Sequence, residues 1–388
     1  MPTLANTSKQ GSQFRRKFRL IRREKMMKKL ILAGVLIGLA YVGYRLIFPP
    51  PISPSQNIDT GSDITAQVTP GSMDVDWIMG SPDCNKSDEP AIQVHQYDSA
   101  TYILRQNPCA DFEAPFMYLL IGQTRAFLLD TGAVADAPIA RTVLDLLAVE
   151  GQARLPLIVA HSHSHFDHRR GDGQFFGYNN VEIVGHEPAQ VQRFFGLDNW
   201  PDGVASLDLG GRILEILPIP GHHPAGIAVY DTLTGMLLTG DNLLPGRVYI
   251  SDLDSSRASS RRLVEFIENR PVSHVLGGHL EMDNGGRLYQ PSSTYRPDQR
   301  ELQLTREHVL ALEQAFGDSS RFILYSAQDD FVLVNTGIII TGIGVIGVVI
   351  LGAVVLLVFR FIRRRRRRSR AVTNETRSYQ GIFGKEEG

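Results

Sequence analysis

Three imidazoles and one carboxylate lie within six residues of this chain, in the stretch His163-Ser164-His165-Phe166-Asp167-His168. The apolar run 157–160, Leu-Ile-Val-Ala, precedes the stretch directly and predicts a short buried strand that ends at it. Because alternate residues of an extended segment point the same way, His163 and His165 can bind one metal ion. Asp167 and His168 follow the expected turn, face another direction and suit a second ion nearby. The alternative is a solvated loop that is merely rich in histidine.

Three more candidate ligands stand singly along the chain, each where an apolar run ends. His222 follows the run 216–221, Asp241 follows 236–240, and His279 follows 274–278. Each of them taken alone is typical of a turn or a cap. Together with the cluster they make five histidines and two aspartates, enough for three ligands on each of two metals and one bridging carboxylate. Such mixed ligation suits zinc, and also iron or manganese. Two metals about 3.5–4 Å apart can share a hydroxide and polarise a carbonyl or phosphoryl oxygen.

The order of these motifs along the chain resembles that of the metallo-β-lactamase superfamily, over roughly residues 91–325. The motifs are Leu128-Leu129-Asp130-Thr131-Gly132, the stretch 163–168, Pro220-Gly221-His222, Gly240-Asp241 and Gly278-His279. The resemblance implies that the first metal is bound by His163, His165 and His222. It implies that the second is bound by Asp167, His168 and His279, that Asp241 bridges the two, and that Asp167 is the catalytic residue. Asp130 is expected to support the loops that carry the ligands, and the alternative for it is a plain turn residue.

The resemblance also implies a fold and a branch of the superfamily. Pattern alone predicts a mixed α/β domain, and the resemblance implies a four-layer αββα sandwich, flanked here by two transmembrane helices. True β-lactamases of this fold carry cysteine where this chain has Asp241, so the chain looks closer to the glyoxalase II, lactonase and phosphodiesterase branches. The segment between His279 and the second hydrophobic segment is too short for the helical region with which glyoxalase II binds glutathione, so the sequence does not support a glutathione thioester as the substrate. His161 and His223 are extra imidazoles, expected to support the ligands or to lie on the surface.

Two hydrophobic segments flank the predicted domain. Residues 30–48 are apolar or small apart from Arg45, which can extend to the membrane interface, and residues 337–359 contain no charge. Both are predicted to span a membrane. The first is interpreted as a retained signal anchor, with a cleaved signal peptide as the alternative. Residues 49–90 are rich in Pro, Ser, Asp and Gly, which predicts a linker.

The charges of the chain are strongly segregated although their total is close to zero. Of the 40 basic and 41 acidic residues, the tails 1–29 and 360–388 hold 20 and 4, so residues 30–359 carry a net charge of −17. Basic segments that flank a membrane span remain in the cytoplasm, so both termini are expected on the cytoplasmic side of the cell membrane and the domain on the opposite side. The same flanks favour anionic headgroups. Cys84 and Cys109 both fall in the exterior part, where a disulfide and two free thiols are equally compatible with the sequence.

The predicted function is a membrane-anchored dinuclear hydrolase, in which a bridging hydroxide attacks the carbonyl of an ester, thioester or lactone. Its cofactors are two divalent transition-metal ions, with zinc the first choice and iron or manganese the alternatives. A phosphodiesterase or nuclease of the same fold and a non-catalytic metal-binding membrane protein are the other two hypotheses. Because a domain of net −17 repels a long polyanion, no nucleic-acid partner is expected. The expected partners are a small or lipid-like ester or thioester and the membrane.

Overall fold

The computed structural model describes residues 68–148, 153–317 and 324–383, leaving out the side chains at 341, 343, 345, 346 and 348 and those beyond 364. The chain divides into two compact units, Met1–Ser53 and Pro54–Gly388, and every described residue belongs to the second. The predicted tail 1–29, the first predicted span 30–48 and the beginning of the predicted linker therefore lie outside the described residues.

The first sheet has six strands that lie side by side in chain order. They are β1 (Ile92–Asp98), β2 (Thr101–Gln106), β3 (Phe116–Ile121), β4 (Ala126–Leu129), β5 (Leu157–Ala160) and β6 (Val181–Ile183). The first four strands are antiparallel neighbours, whereas β5 and β6 run parallel to β4. Parallel pairing requires a crossover, and helices α1 (Ile139–Leu146) and α2 (Phe166–Arg169) lie in the two connections.

The second half of the domain contains one five-stranded and one three-stranded sheet. Helix α3 (Pro188–Phe195) leads into β7 (Ala205–Asp208), β8 (Ile213–Pro218), β9 (Ile227–Asp231), β10 (Met236–Gly240), β11 (Gly246–Ile250), helix α4 (Leu253–Ile267) and β12 (His274–Gly277). Helix α5 (Arg306–Gly317), β13 (Tyr325–Ala327), β14 (Phe331–Asn335) and helix α6 (Thr336–Phe383) follow. The strand orders are β12-β10-β9-β8-β7 and β11-β14-β13.

Alternate residues of the central strands belong to different apolar cores. On β5, Ile158 and Ala160 pack between the two large sheets, while Leu157 and Val159 pack on the other face with α1. The second sheet does the same, with the alternate residues of β9 directed to the space between the sheets and to α4 and α5. Because both faces of each sheet are buried, these strands are continuously apolar. The resulting helix–sheet–sheet–helix layering agrees with the predicted αββα sandwich.

Buried contacts extend beyond both predicted boundaries of the domain. Trp77, within the predicted linker 49–90, is buried in the core between the sheets and its ring lies edge-on to Phe116 at 4.9 Å. A disulfide between Cys84 and Cys109 ties the same segment to the loop after β2. At the other end, β14 lies beyond the predicted limit at residue 325, yet it is fully buried and pairs in parallel with β11. A single tryptophan and one short strand carry too little periodicity to be recognised from sequence.

The second predicted span, 337–359, lies within α6. Over the part of the chain described above, no helix has both the length and the apolar character that crossing a membrane requires. Neither predicted span is confirmed.

Candidate metal centre

The predicted ligands come from four loops that each follow the end of a strand. His163 lies three residues after the end of β5, and His222, Asp241 and His279 follow β8, β10 and β12. The prediction that these residues stand where strands end is therefore confirmed. The loops meet between the two large sheets, which bring all seven predicted ligands into two adjoining groups.

The first group consists of three histidines. His165 Nδ1 lies 2.8 Å from His163 Nε2 and 3.0 Å from His222 Nε2. His163 and His222 are buried, and their rings lie nearly perpendicular to the ring of His165. Three ring nitrogens directed at one point form one face of a metal site, and this is the set that the sequence resemblance implied.

The second group adds a carboxylate to two histidines. His168 Nε2 and His279 Nε2 lie 3.2 Å apart, and each is also 3.2 Å from Asp167 Oδ2. Both histidines are buried, whereas the side chain of Asp167 is 21% exposed. Asp167 is therefore the most accessible carboxylate of the centre.

Asp241 lies between the two groups and offers one oxygen to each. Its Oδ2 lies 3.6 Å from His222 Nε2 and 4.0 Å from His163 Nε2. Its Oδ1 lies 3.4 Å from His279 Nε2 and 3.5 Å from His168 Nε2. Buried Oδ1 has no hydrogen-bond partner among the described residues. A buried carboxylate oxygen without a donor is costly, and a cation between the two groups would satisfy it.

The remaining ring nitrogens are held by partners outside the two groups. Nδ1 of His222 lies 2.8 Å from the carbonyl of Tyr249, and Nδ1 of His279 lies 2.9 Å from that of Glu113. A carbonyl can only accept, so Nδ1 of each ring carries the proton and Nε2 directs its lone pair at the centre. The backbone thereby fixes the tautomer that a metal ligand needs.

Asp130 holds a third ring in the same way. Its Oδ2 lies 2.8 Å from His168 Nδ1 and accepts the hydroxyl of Ser162 at 2.8 Å, while Oδ1 accepts the amide of Ser162 at 2.7 Å. Asp130 is buried and adopts a left-handed backbone conformation, with φ of 71°. It contacts both the loop that carries the ligands and one ligand itself, and is thus more than a plain turn residue.

The charges of the centre depend on one another. Burial alone would raise the pKa of Asp241, but His279 and His168 hold it well below its usual range. Burial alone would lower the pKa of His279, but Asp241 and Asp167 hold it well above its usual range. The carboxylates therefore stay ionised and require positive charge next to them. Divalent cations supply that charge with the histidines in their neutral, ligating form.

Gly278 allows the two groups to come this close. A side chain there would begin 2.5 Å from Asp241 Oδ1 and 2.8 Å from His168 Cε1, which is closer than any methyl group can approach. Only glycine therefore fits between the bridging carboxylate and a ligand of the second group.

The donor set fits divalent transition metals. Five imidazole nitrogens and two carboxylates form a mixed donor set of the kind found in zinc, iron and manganese sites. The first group would hold one ion, the second group another, and Asp241 would contact both.

A third group of the same residue types adjoins the centre and was not predicted. His161 Nε2 lies 2.9 Å from Asp172 Oδ1, and His186 Nε2 lies 2.8 Å from Asp172 Oδ2. Thr131 donates its hydroxyl to Asp172 Oδ1 at 2.8 Å. His186 follows β6 and has a glycine, Gly185, directly before it, so it shows the strand–glycine–histidine order that is also found at His222 and His279. That order could have drawn attention to it.

His223 lies against the first group without joining it. Its Nε2 lies 3.1 Å from the hydroxyl of Ser164, and its ring centroid lies 4.9 Å from that of His165. Burial, with His165 and His222 nearby, lowers the pKa of His223 to about 4, so the ring is neutral at physiological pH. Its expected supporting position is what the structure shows.

Comparisons with known proteins agree with this architecture. A family model described as the metallo-beta-lactamase superfamily matches residues 110–279, a range that includes all seven predicted ligands. The chain is 25% identical over 216 residues to Acyl-coenzyme A thioesterase MBLAC2 of Gallus gallus, with 46% of this chain and 77% of the relative covered. It is 27% identical over 203 residues to a hydroxyacylglutathione hydrolase of Synechococcus sp. (strain JA-3-3Ab), with 52% and 76% covered.

A solved metallo-beta-lactamase from Pontibacter korlensis is similar at 16% identity and a TM-score of 0.42, covering 59% of this chain and 100% of that one. Residues 110–279 match the family model, and their strand ends carry histidine and aspartate groups able to bind metal. Residues 110–279 thus match the metallo-β-lactamase superfamily, and the chain is a metal-dependent hydrolase.

Proposed function

We propose that the chain hydrolyses acyl thioesters at a dinuclear metal centre. Asp241 carries this proposal, because its two oxygens face the two ligand groups at 3.4–3.5 Å and 3.6–4.0 Å. A carboxylate so placed would contact one cation in each group, as a dinuclear hydrolytic centre requires. A centre for a single ion would not need ligands on both sides of this residue.

The chain's own residues supply orientation and proton transfer. When bound, the metal ions would polarise the substrate carbonyl and lower the pKa of the attacking water. The carbonyls of Tyr249 and Glu113 keep His222 and His279 in the ligating tautomer. Asp167 contacts His168 and His279 through Oδ2, and we assign to Oδ1 the proton released by the attacking water. The same oxygen then gives this proton to the sulfur that leaves when the C–S bond breaks. Asp167 suits this role because it is the most accessible carboxylate of the centre.

Thioesters are favoured over simple esters and lactones by the relatives. One relative is named an acyl-coenzyme A thioesterase and another a hydroxyacylglutathione hydrolase, and both names denote attack on a carbonyl bonded to sulfur. Aspartate at position 241, where true β-lactamases carry cysteine, supports the same branch. The net charge of −17 over residues 30–359 disfavours long polyanions such as nucleic acid.

Metal content and thioester turnover test the proposal on the purified full-length chain. We expect about two transition-metal ions per chain and thioester hydrolysis that a chelator abolishes and added zinc, iron or manganese restores. His222→Ala should lower the metal content and abolish hydrolysis, because it removes a ligand of the first group. His95→Ala, which removes a half-buried histidine that belongs to neither ligand group and contacts the Ser72 carbonyl and the Trp77 ring, is the matched control. A folded, natively expressed chain without metal contradicts the metal centre. Cleavage of nucleic acid, with no thioester turned over, favours the phosphodiesterase alternative.

We propose further that the domain lies outside the cytoplasm of the cell, between two membrane spans with both termini inside. Support comes from the uncharged segment 337–359, the basic tails and the acidic segment between them. The disulfide between Cys84 and Cys109 suits an oxidising exterior. Protease added to spheroplasts should cut within the domain and spare both tails. Recovery of the intact chain in the soluble fraction would contradict the anchoring.

A further inference from the structure

A cavity of about 160 Å³ opens beside the metal centre. Glu113 and Tyr249 line it, and their carbonyls are the ones that hold the rings of His279 and His222. Each of these two lining residues therefore directly contacts a histidine of one ligand group, so the cavity lies next to both groups. A substrate whose carbonyl lies at the centre can extend into it.

Two guanidinium groups lie on the wall of this cavity. Arg247 Nη1 lies 3.1 Å from Glu281 Oε2, so its charge is paired. Arg296 is buried and donates from Nη1 to the carbonyl of Leu280 at 2.8 Å and from Nη2 to that of Phe112. Its Nε has no partner among the described residues. Carbonyl oxygens hold Arg296 in place without neutralising its charge.

A third cation lies behind Arg296. Arg105 is fully buried, and within the described structure none of its three guanidinium nitrogens has a hydrogen-bond partner. Burial and the charge of Arg296 lower the pKa of Arg105 to about 9, which still leaves it cationic at neutral pH. An unpaired buried charge is expensive. The carboxylates of Glu113 and Glu281 also line the cavity, but within the described structure neither Arg105 nor Arg296 forms an ion pair, so no direct carboxylate contact neutralises these two cations.

We propose that this cavity binds an anionic group, a phosphate or a carboxylate, on the thiol half of the substrate. Arg247 and Arg296 contact the anion, and Arg105 reinforces the positive potential from behind. The inference rests on the proposed thioester hydrolysis and names the part of the substrate that is recognised. Coenzyme A carries phosphates and glutathione carries carboxylates, so both sources offer the required charge. A thioester of a neutral thiol lacks it.

Thioesters with one acyl group and three thiols test this on the metal-loaded full-length chain. The thiols are coenzyme A, glutathione and neutral N-acetylcysteamine. We expect kcat/KM for at least one anionic thioester to exceed that for the neutral one. Arg247→Gln should lower it by about 10- to 100-fold, the effect of one charge-assisted hydrogen bond, and change the neutral value less than threefold. The coenzyme A and glutathione arms decide between phosphate and carboxylate.

Two more variants separate the cavity from general damage. Arg247→Gln/Glu281→Gln removes both members of the ion pair, so the surplus charge of Arg296 and Arg105 remains and the loss should be smaller than in Arg247→Gln. Arg270 lines a different cavity and forms an ion pair of the same kind, 2.8 Å long, with Glu215. Arg270→Gln breaks this ion pair. It should leave the ratio of anionic to neutral turnover unchanged.

Binding provides a readout that does not depend on turnover. The S-methyl derivatives of the three thiols cannot be hydrolysed, and calorimetry should detect binding of an anionic one that Arg247→Gln weakens about 10-fold or more. Equal losses for the neutral and anionic thioesters, or no binding preference for an anionic derivative, would overturn the cavity assignment. Failure to hydrolyse any thioester, with this binding intact, would instead count against the proposed reaction alone.

Discussion

Asp130→Asn is expected to weaken binding of the second metal selectively. Asparagine matches aspartate in size and tolerates the left-handed backbone found at this position, with φ of 71°. The change therefore acts on the hydrogen bonds. When the amide oxygen of the new side chain accepts the Ser162 amide, its NH₂ group faces both the Ser162 hydroxyl and His168 Nδ1. The hydroxyl can rotate and accept, whereas an Nδ1–H cannot. His168 must then move its proton to Nε2 or turn its ring, and either change removes the lone pair aimed at the metal.

The size of this effect follows from the position of Asp130 outside the ligand set. Loss of such a supporting partner weakens metal binding by about 10- to 100-fold, or about 1.4–2.7 kcal/mol. Titration of the chelated chain with zinc against a chromophoric competitor should show the weaker binding for one ion of the two. Asp330→Asn makes the same chemical change at a carboxylate that contacts His308 and Arg300 and no ligand, and should leave both affinities unchanged. A folded Asp130→Asn chain that binds both ions with wild-type affinity would refute the reasoning.

Three further predictions concern close packing, pH and the disulfide. Gly278→Ala should reduce metal content and hydrolysis together, because its methyl group meets Asp241 Oδ1 and His168; elemental analysis checks this, and full metal content would contradict it. Burial alone would raise the pKa of Asp330, but His308 and Arg300 hold it below its ordinary value of 3.8. The ionised carboxylate therefore stabilises the fold fully above pH 3.8, and this stabilisation is lost as the pH falls through the lowered pKa. Asp330→Asn should therefore lower the free energy of unfolding at pH 7 and have little effect in strong acid, and an equal effect at both pH values would contradict the assignment. Cys84→Ser/Cys109→Ser should cost about 3.5 kcal/mol in denaturant unfolding, the chain-entropy value for a separation of 25 residues, and an unchanged midpoint would exclude that contribution.

The metal ligands were predictable because their chemistry is local to strand ends. A buried strand such as Leu157–Ala160 is recognisable in the sequence as a continuous apolar run. The polar side chains that follow it do not belong to the apolar core, which indicates another role for them. The αββα layering needed the family resemblance, since a run buried on both faces does not reveal which residues face which layer. Asp172 could not be placed from sequence, because its partners His161 and His186 approach it only through the folded loops.

The charge pattern was informative about the whole domain and misleading about its interior. A net charge of −17 describes the surface that a distant polyanion meets. It does not show that Arg105, Arg247 and Arg296 gather beside the centre, because they lie on separate elements or loops of the chain. Arg105 lies on the same face of β2 as Ile103, which packs between the two large sheets, so its burial follows from its position on the strand.

Each ligand group draws on both large sheets. His163 and His165 follow β5 of the first sheet while His222 follows β8 of the second, and Asp167 and His168 are likewise completed by His279 after β12. An ion in either group would therefore be a cross-link between the two halves of the sandwich, much as a disulfide joins two segments. Removing the metal should then loosen the contact between the sheets as well as stop the reaction. The same metal ions that catalyse the reaction would then also stabilise the packing of the two sheets.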